Sequence, residues 1–142
     1  MHRIALLFIA LCLSLPALAE RKQSFGDLDV HYIAFNSSFL QPDIAAANGL
    51  IRSKTLGVVN ISVLKDGKAS NASNASVSGE VKDLVGRSQP LTFKQVTEGA
   101  AIYYLAQFPF TQQEMLRFTI TVRAADGVAH SVDFNQEFFP DR

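Results

Sequence analysis

The sequence has one cysteine and no tryptophan in 142 residues. That cysteine, Cys12, lies in the opening apolar run, so the rest of the chain has no thiol. Disulfide staples and a cysteine nucleophile are excluded there, and the core must hold by packing alone. Charge of one sign is also lacking. The 13 basic and 13 acidic residues balance, and no like-charge run exceeds two residues. Nothing in that pattern forms the basic stripe expected for nucleic acid, or the polybasic cluster expected for an acidic lipid surface. Long apolar runs are missing too. The longest, Ile4 to Leu15, spans 12 residues, too few for the ~20 a membrane-crossing helix needs.

Local catalytic signatures are likewise scarce. There is no GxSxG elbow, no glycine-rich phosphate loop and no HExxH or HxH spacing, so hydrolase, nucleotide and zinc chemistries lack their usual arrangements. No metal and no cofactor is expected. His31 and His130 are the two histidines beyond residue 19. Each sits within an apolar strand pattern, where a half-buried structural imidazole is the simpler reading.

The first nineteen residues have the three parts of a secretory signal: His2-Arg3, the apolar run, then Pro16 and Ala17-Leu18-Ala19. Cleavage after Ala19 is expected to release 123 of the 142 residues as one domain, 20–142, with 12 basic and 13 acidic residues. The expected location is the periplasm, without a stable membrane anchor.

Period-two alternation dominates that domain. Leu28 to Phe35 and Val58 to Leu64 read as strands, the second with Val59, Ile61 and Val63 on one face. Leu91 to Val96 and Ala101 to Gln107 follow, and Ile102 to Ala106 is apolar on both faces, as an interior strand would be. Pro42 to Gly49 opens with proline and an acid and closes on glycine, the pattern of a helix of two turns at most. Thr111-Gln112-Gln113-Glu114 fits a capping box and predicts one helical turn. Asp66-Gly67 is a tight-turn pair. The Ser70–Ser76 repeat of serine, asparagine and alanine reads as a lengthened, mobile hairpin tip. Tyr103-Tyr104 after Thr97-Glu98-Gly99 loosely matches a tyrosine corner.

Parity registers the last hairpin. Phe118, Ile120, Val122, Val128, Val132 and Phe134 are all even-numbered, and directly opposed residues share a face. A three-residue loop, Ala125-Asp126-Gly127, pairs Ile120 with Val132 and Phe118 with Phe134, and puts glycine where positive φ is needed. The expectation is an all-β chain: a single antiparallel β-sandwich, immunoglobulin-like in general shape, with about seven strands and one short helix. The clustered phenylalanines are expected to fill its core rather than line a groove.

Several segments carry a resemblance. They are Phe25-Gly26-Asp27 with His31-Tyr32, then Phe35-Asn36-Ser37-Ser38-Phe39-Leu40, Arg52-Ser53, Val59-Asn60-Ile61-Ser62-Val63-Leu64, Glu98-Gly99 with Ala101-Ile102-Tyr103-Tyr104, and Phe138-Phe139-Pro140-Asp141. Together they resemble the family of small exported bacterial proteins known as domain of unknown function 4426. The sequence departs from the family pattern at Ser38, where threonine is usual, and in the Ser-Asn-Ala repeat. The resemblance implies export, this size and a β-rich domain, and supplies no activity.

By subtraction, the functional expectation is a non-enzymatic exported protein that binds another protein or an envelope component. A small envelope hydrolase using Ser37 or Ser38 with His31 is the alternative, and an inhibitor of an envelope enzyme a third. No catalytic set is assigned. The candidate binding residues are His31, Asn36, Ser37 and Arg52, grouped where Asn and Ser between Phe35 and Phe39 favour a turn. The bland reading of the same residues is that Asn36 and Ser37 satisfy that turn's backbone.

Overall fold

The computed structural model describes residues 21–72 and 75–140. The expected signal segment, its cleavage point, Cys12, and Ser73-Asn74 of the repeat lie outside the described residues. Among the described residues nine strands form two antiparallel sheets. The first sheet holds β1 (Arg21–Phe25), β2 (Leu28–Asn36), β3 (Leu56–Lys65), β7 (Ala101–Pro109) and β6 (Lys94–Glu98), in that spatial order. The second holds β5 (Ser88–Leu91), β4 (Ser76–Lys82), β8 (Glu114–Arg123) and β9 (Ala129–Phe138). A short helix, α1 (Pro42–Ala47), follows a 3₁₀ turn at Ser37–Phe39.

The sandwich and its short helix match the sequence expectation; the strand count does not. β1 is too polar and too exposed to announce itself as a strand, and is held by its ladder to β2. The expected strand Leu91 to Val96 is two strands in different sheets, because the chain crosses between layers at Thr92-Phe93. The capping-box residues are a bend leading straight into β8, not a helical turn. They carry the chain from β7 to the opposite sheet, and Gln113 Nε2 donates to Glu137 instead of closing a turn.

Alternation explains the core. Even positions of β8 and β9, Leu116, Phe118, Ile120, Val122, Val132, Phe134 and Phe138, are buried against Val59, Ile61 and Val63 of β3 and Tyr104, Ala106 and Phe108 of β7. The registered pairs Ile120–Val132 and Phe118–Phe134 are found, the two phenylalanine rings stacking 4.7 Å apart. Gly127 takes φ +86° in the three-residue loop. Phe108 and Phe138 meet edge-on at 5.1 Å. Gly57 lies beneath the Phe108 ring, which occupies the space a Cβ would need. Apolar residues on the other face of β7 are used as well: Leu105 packs with Val58 and Val96 in a second cluster, beside Leu40 and Leu50 of the segment around α1.

The Ser-Asn-Ala repeat is not a hairpin tip. Asp66 and Gly67 form the expected tight turn, both with positive φ. The chain then passes through a 3₁₀ turn at Ala69–Ala72 and crosses from β3 to β4 in the facing sheet. Ala69 and Ala72 are buried, at 7% and 8% exposure, and Ala75 packs on the main core. Alanine's methyl suits the narrow space between two sheet ends, which the polar composition concealed.

Candidate functional site

The sequence-predicted residues fall in two places. His31 is half-buried in mid-β2, paired across to Lys22 and Ser62. It points to the outer face of its sheet, because Val30 and Tyr32 on either side point to the core. Asn36 is five residues further along an extended strand, roughly 16 Å away at ~3.3 Å per residue. Ser37 and Ser38 follow it, so the fold does not bring either serine to His31 in the manner a hydrolytic pair requires.

Asn36, Ser37 and Arg52 do come together. Ser37 is fully buried. Its Oγ donates to the Ser53 carbonyl at 2.9 Å and accepts from the Ser53 N–H at 2.8 Å. Arg52 Nη2 donates to the Ser38 carbonyl at 3.0 Å. Asn36 Nδ2 donates to the Phe139 carbonyl at 2.8 Å, tying β2 to the segment after β9. Nearby, the Gln107 side chain makes a paired contact with Ile51, donating at 2.6 Å and accepting at 3.0 Å. These bonds all go to loop backbone. Phe39, Ile51 and Phe139 are exposed around the same turn.

The opposite end of the sandwich holds a hollow of about 220 Å³ that the sequence did not announce. Its walls are Phe25, Leu28, Ala72, Ala75 and Ala124, and its rim carries Asp27, Lys65, Asp126 and His130. Four elements build it. The β1–β2 turn brings Asp27 and the β3–β4 crossover brings the alanines. The β8–β9 loop brings Asp126 and β9 brings His130, whose ring stacks on Phe25 at 4.5 Å. Tyr104 Oη donates to the Ala75 carbonyl at 3.2 Å and pins the crossover from beneath. That is the part Tyr104 plays in place of a local tyrosine corner. Its burial pushes the phenol pKa above the ordinary value. The one signal for this site was alanine at Ala72, Ala75, Ala124 and Ala125, small side chains that leave space where strands end.

A broader, more open groove of about 510 Å³ runs along Ser62, Leu64, Lys68, Ala101 and Tyr103. Among the described residues, no three His, Cys, Asp or Glu side chains gather in a way that would hold a metal ion. No helix among them is long and apolar enough to cross a membrane.

A family model described as Domain of unknown function (DUF4426) matches residues 22–141. The chain belongs to this family. A crystal structure of a DUF4426 family protein from Pseudomonas aeruginosa PAO1 is similar to it at 51% identity and TM-score 0.77, over 87% of this chain and 97% of that one. FetP of uropathogenic Escherichia coli strain F11, expressed recombinantly in the periplasm, is similar at 10% identity and TM-score 0.61, over 88% and 97%. A copper-bound FetP variant gives 11% and 0.57, over 88% and 93%. With FetP, this DUF4426 member shares the fold alone. No curated protein matches its sequence.

Proposed function

We propose that this DUF4426 protein is an exported, non-enzymatic binding module of the periplasm that takes a partner protein or envelope component in the hollow between the β1–β2 turn and the β8–β9 loop. The hollow carries the reading. Concave, largely apolar walls with a few convergent polar groups are what binding sites share. At about 220 Å³ it is smaller than the ~300–1,000 Å³ of drug-sized sites, and so suits one anchoring side chain of a partner better than a whole cofactor. A β-sandwich with loops gathered at its ends is a common carrier for such a site, though the shared fold with FetP brings no ligand with it. Export rests on the signal-like first nineteen residues.

Crosslinking tests it. A photoreactive residue replacing Val128, exposed at the hollow's edge, should trap one discrete envelope partner in periplasmic material, and the same probe at Leu84 at the opposite end should not. Equal labelling from both positions would overturn the site, and an unexported product would overturn the location.

A further inference from the structure

A second feature, the outer edge of β9, begins beside the hollow and runs away from it. Among the described residues, four strands form the edges of the two sheets. Three are guarded in the usual ways: β5 has four residues and contains Pro90, β6 has five with Lys94 and Glu98, and β1 has five with Arg21 and Lys22. β9 has ten residues, no proline and no lysine, and its register with β8 runs unbroken from Ala129 to Phe138 without a bulge.

The ladder tells which of its backbone groups are open. The Ala124 N–H donates to the Val128 carbonyl, so hydrogen-bonded pairs alternate from there through His130, Val132, Phe134, Gln136 and Phe138. The N–H and C=O groups of Ala129, Ser131, Asp133, Asn135 and Glu137 therefore point away from β8, along the free edge. Below that edge the facing sheet extends further. β9 lies over β2, with Tyr32 stacked on Phe134 at 4.8 Å and Gln136 Nε2 donating to the Ala34 carbonyl. β1 projects beyond it, exposed except at Phe25. Among the described residues sheet two thus ends at β9, and β1 reaches back to it: Arg21 lies over the Phe134 ring at 4.8 Å and donates to Gln136 Oε1 at 3.2 Å, and Phe25 stacks on His130.

We infer that this edge receives an extended segment of another polypeptide, added as a fifth strand beside β9 with cationic side chains on its outer face and apolar ones on its inner face. Main-chain bonds to the five outward residues supply affinity, as in other strand additions. Charge selects the outer face, because Asp133 and Glu137 stand on it and directly opposed unlike charges stabilise a pair. A second copy of this chain fits less well: two-fold pairing centred on Asp133 or on Asn135 sets acid against acid.

The probe is a synthetic peptide alternating lysine and valine, long enough to span β9, with a glutamate–valine peptide as its counterpart, added to the mature protein. Amide exchange at Ala129, Ser131, Asp133, Asn135 and Glu137 should slow by about tenfold or more with the lysine peptide and not with the glutamate one. Ser131→Pro with Asn135→Pro removes two outward N–H groups and no ladder bond, and should abolish that protection. Asp133→Lys with Glu137→Lys, which leaves the backbone intact, should reverse the peptide preference. Protection by both peptides alike, protection by neither, or protection without peptide accompanied by dimerisation would each overturn the inference.

Discussion

At the end of the sandwich where β2 and β9 finish, polar side chains are consumed in closing loops. Ser37 makes two bonds to Ser53, Asn36 holds Phe139, and Arg52 holds Ser38. At the other end, alanines from the crossover and from the β8–β9 loop close the core but do not fill the space above it. Hydrogen-bonding residues grouped in sequence were thus building structure, whereas the hollow came from small residues of two separate connections, the β3–β4 crossover and the β8–β9 loop. A cluster of polar residues marks a site only if its bonding capacity is left over after the backbone has been satisfied.

The comparison breaks first through the core both ends share. Phe118→Ala or Phe134→Ala should cost ~3–5 kcal/mol, read as a lower denaturation midpoint in urea. A loss under ~1 kcal/mol for both would mean that the stacked pair does not join the two sheets. At the closed end, Ser37→Ala leaves the Ser53 N–H and C=O without partners and should cost about 1–3 kcal/mol. Arg52→Ala, at an exposed single bond, should cost under ~1 kcal/mol. If Arg52→Ala proved the more damaging of the two, the closed end would not be held from within.

At the open end, Tyr104→Phe removes the bond to the Ala75 carbonyl and should cost ~1 kcal/mol. Deleting Ser73-Asn74-Ala75 should lower Tm by more than that substitution does, because Ala75 packs on the core. An unchanged Tm would restore the picture of a free loop. Ala125→Leu, at an exposed position beside the hollow, should move stability by no more than ~0.5 kcal/mol while weakening capture of the crosslinked partner.

The smallest effect concerns Asp83, near the closed end. Partial desolvation raises its pKa, but the hydrogen bonds and charge of Arg87, 2.8 Å away, outweigh that and hold it below the ordinary 3.8. A depressed carboxyl contributes stability above the unfolded value and loses it as pH falls through the folded one. The difference between wild type and Asp83→Asn should therefore shrink below about pH 3.8. A difference that persisted unchanged in acid would mean that the carboxylate's charge is not what matters.

Much of this architecture could be read along the chain. Parity in Phe118–Val122 and Val128–Phe134 determined a register that the fold kept, because a one-residue slip would turn every apolar side chain outward. The proline, acid and glycine around α1, the Asp-Gly turn and the apolar doubling of β7 are equally local facts, and the family likeness rests on linear motifs. Other features had no local trace. β1 is a strand only because β2 offers it a ladder, and Thr111–Glu114 is a bend because β7 and β8 lie in different sheets. Ala69 and Ala72 are buried because two sheet ends converge on them. Which serine is buried, which histidine rims a hollow and which strand edge stays open all depend on residues distant in sequence meeting in space. The sequence alone determined the periodicities and turns, since these follow from neighbouring dihedrals and alternate faces. Only the tertiary structure decided where the polar groups found their partners and where space was left over.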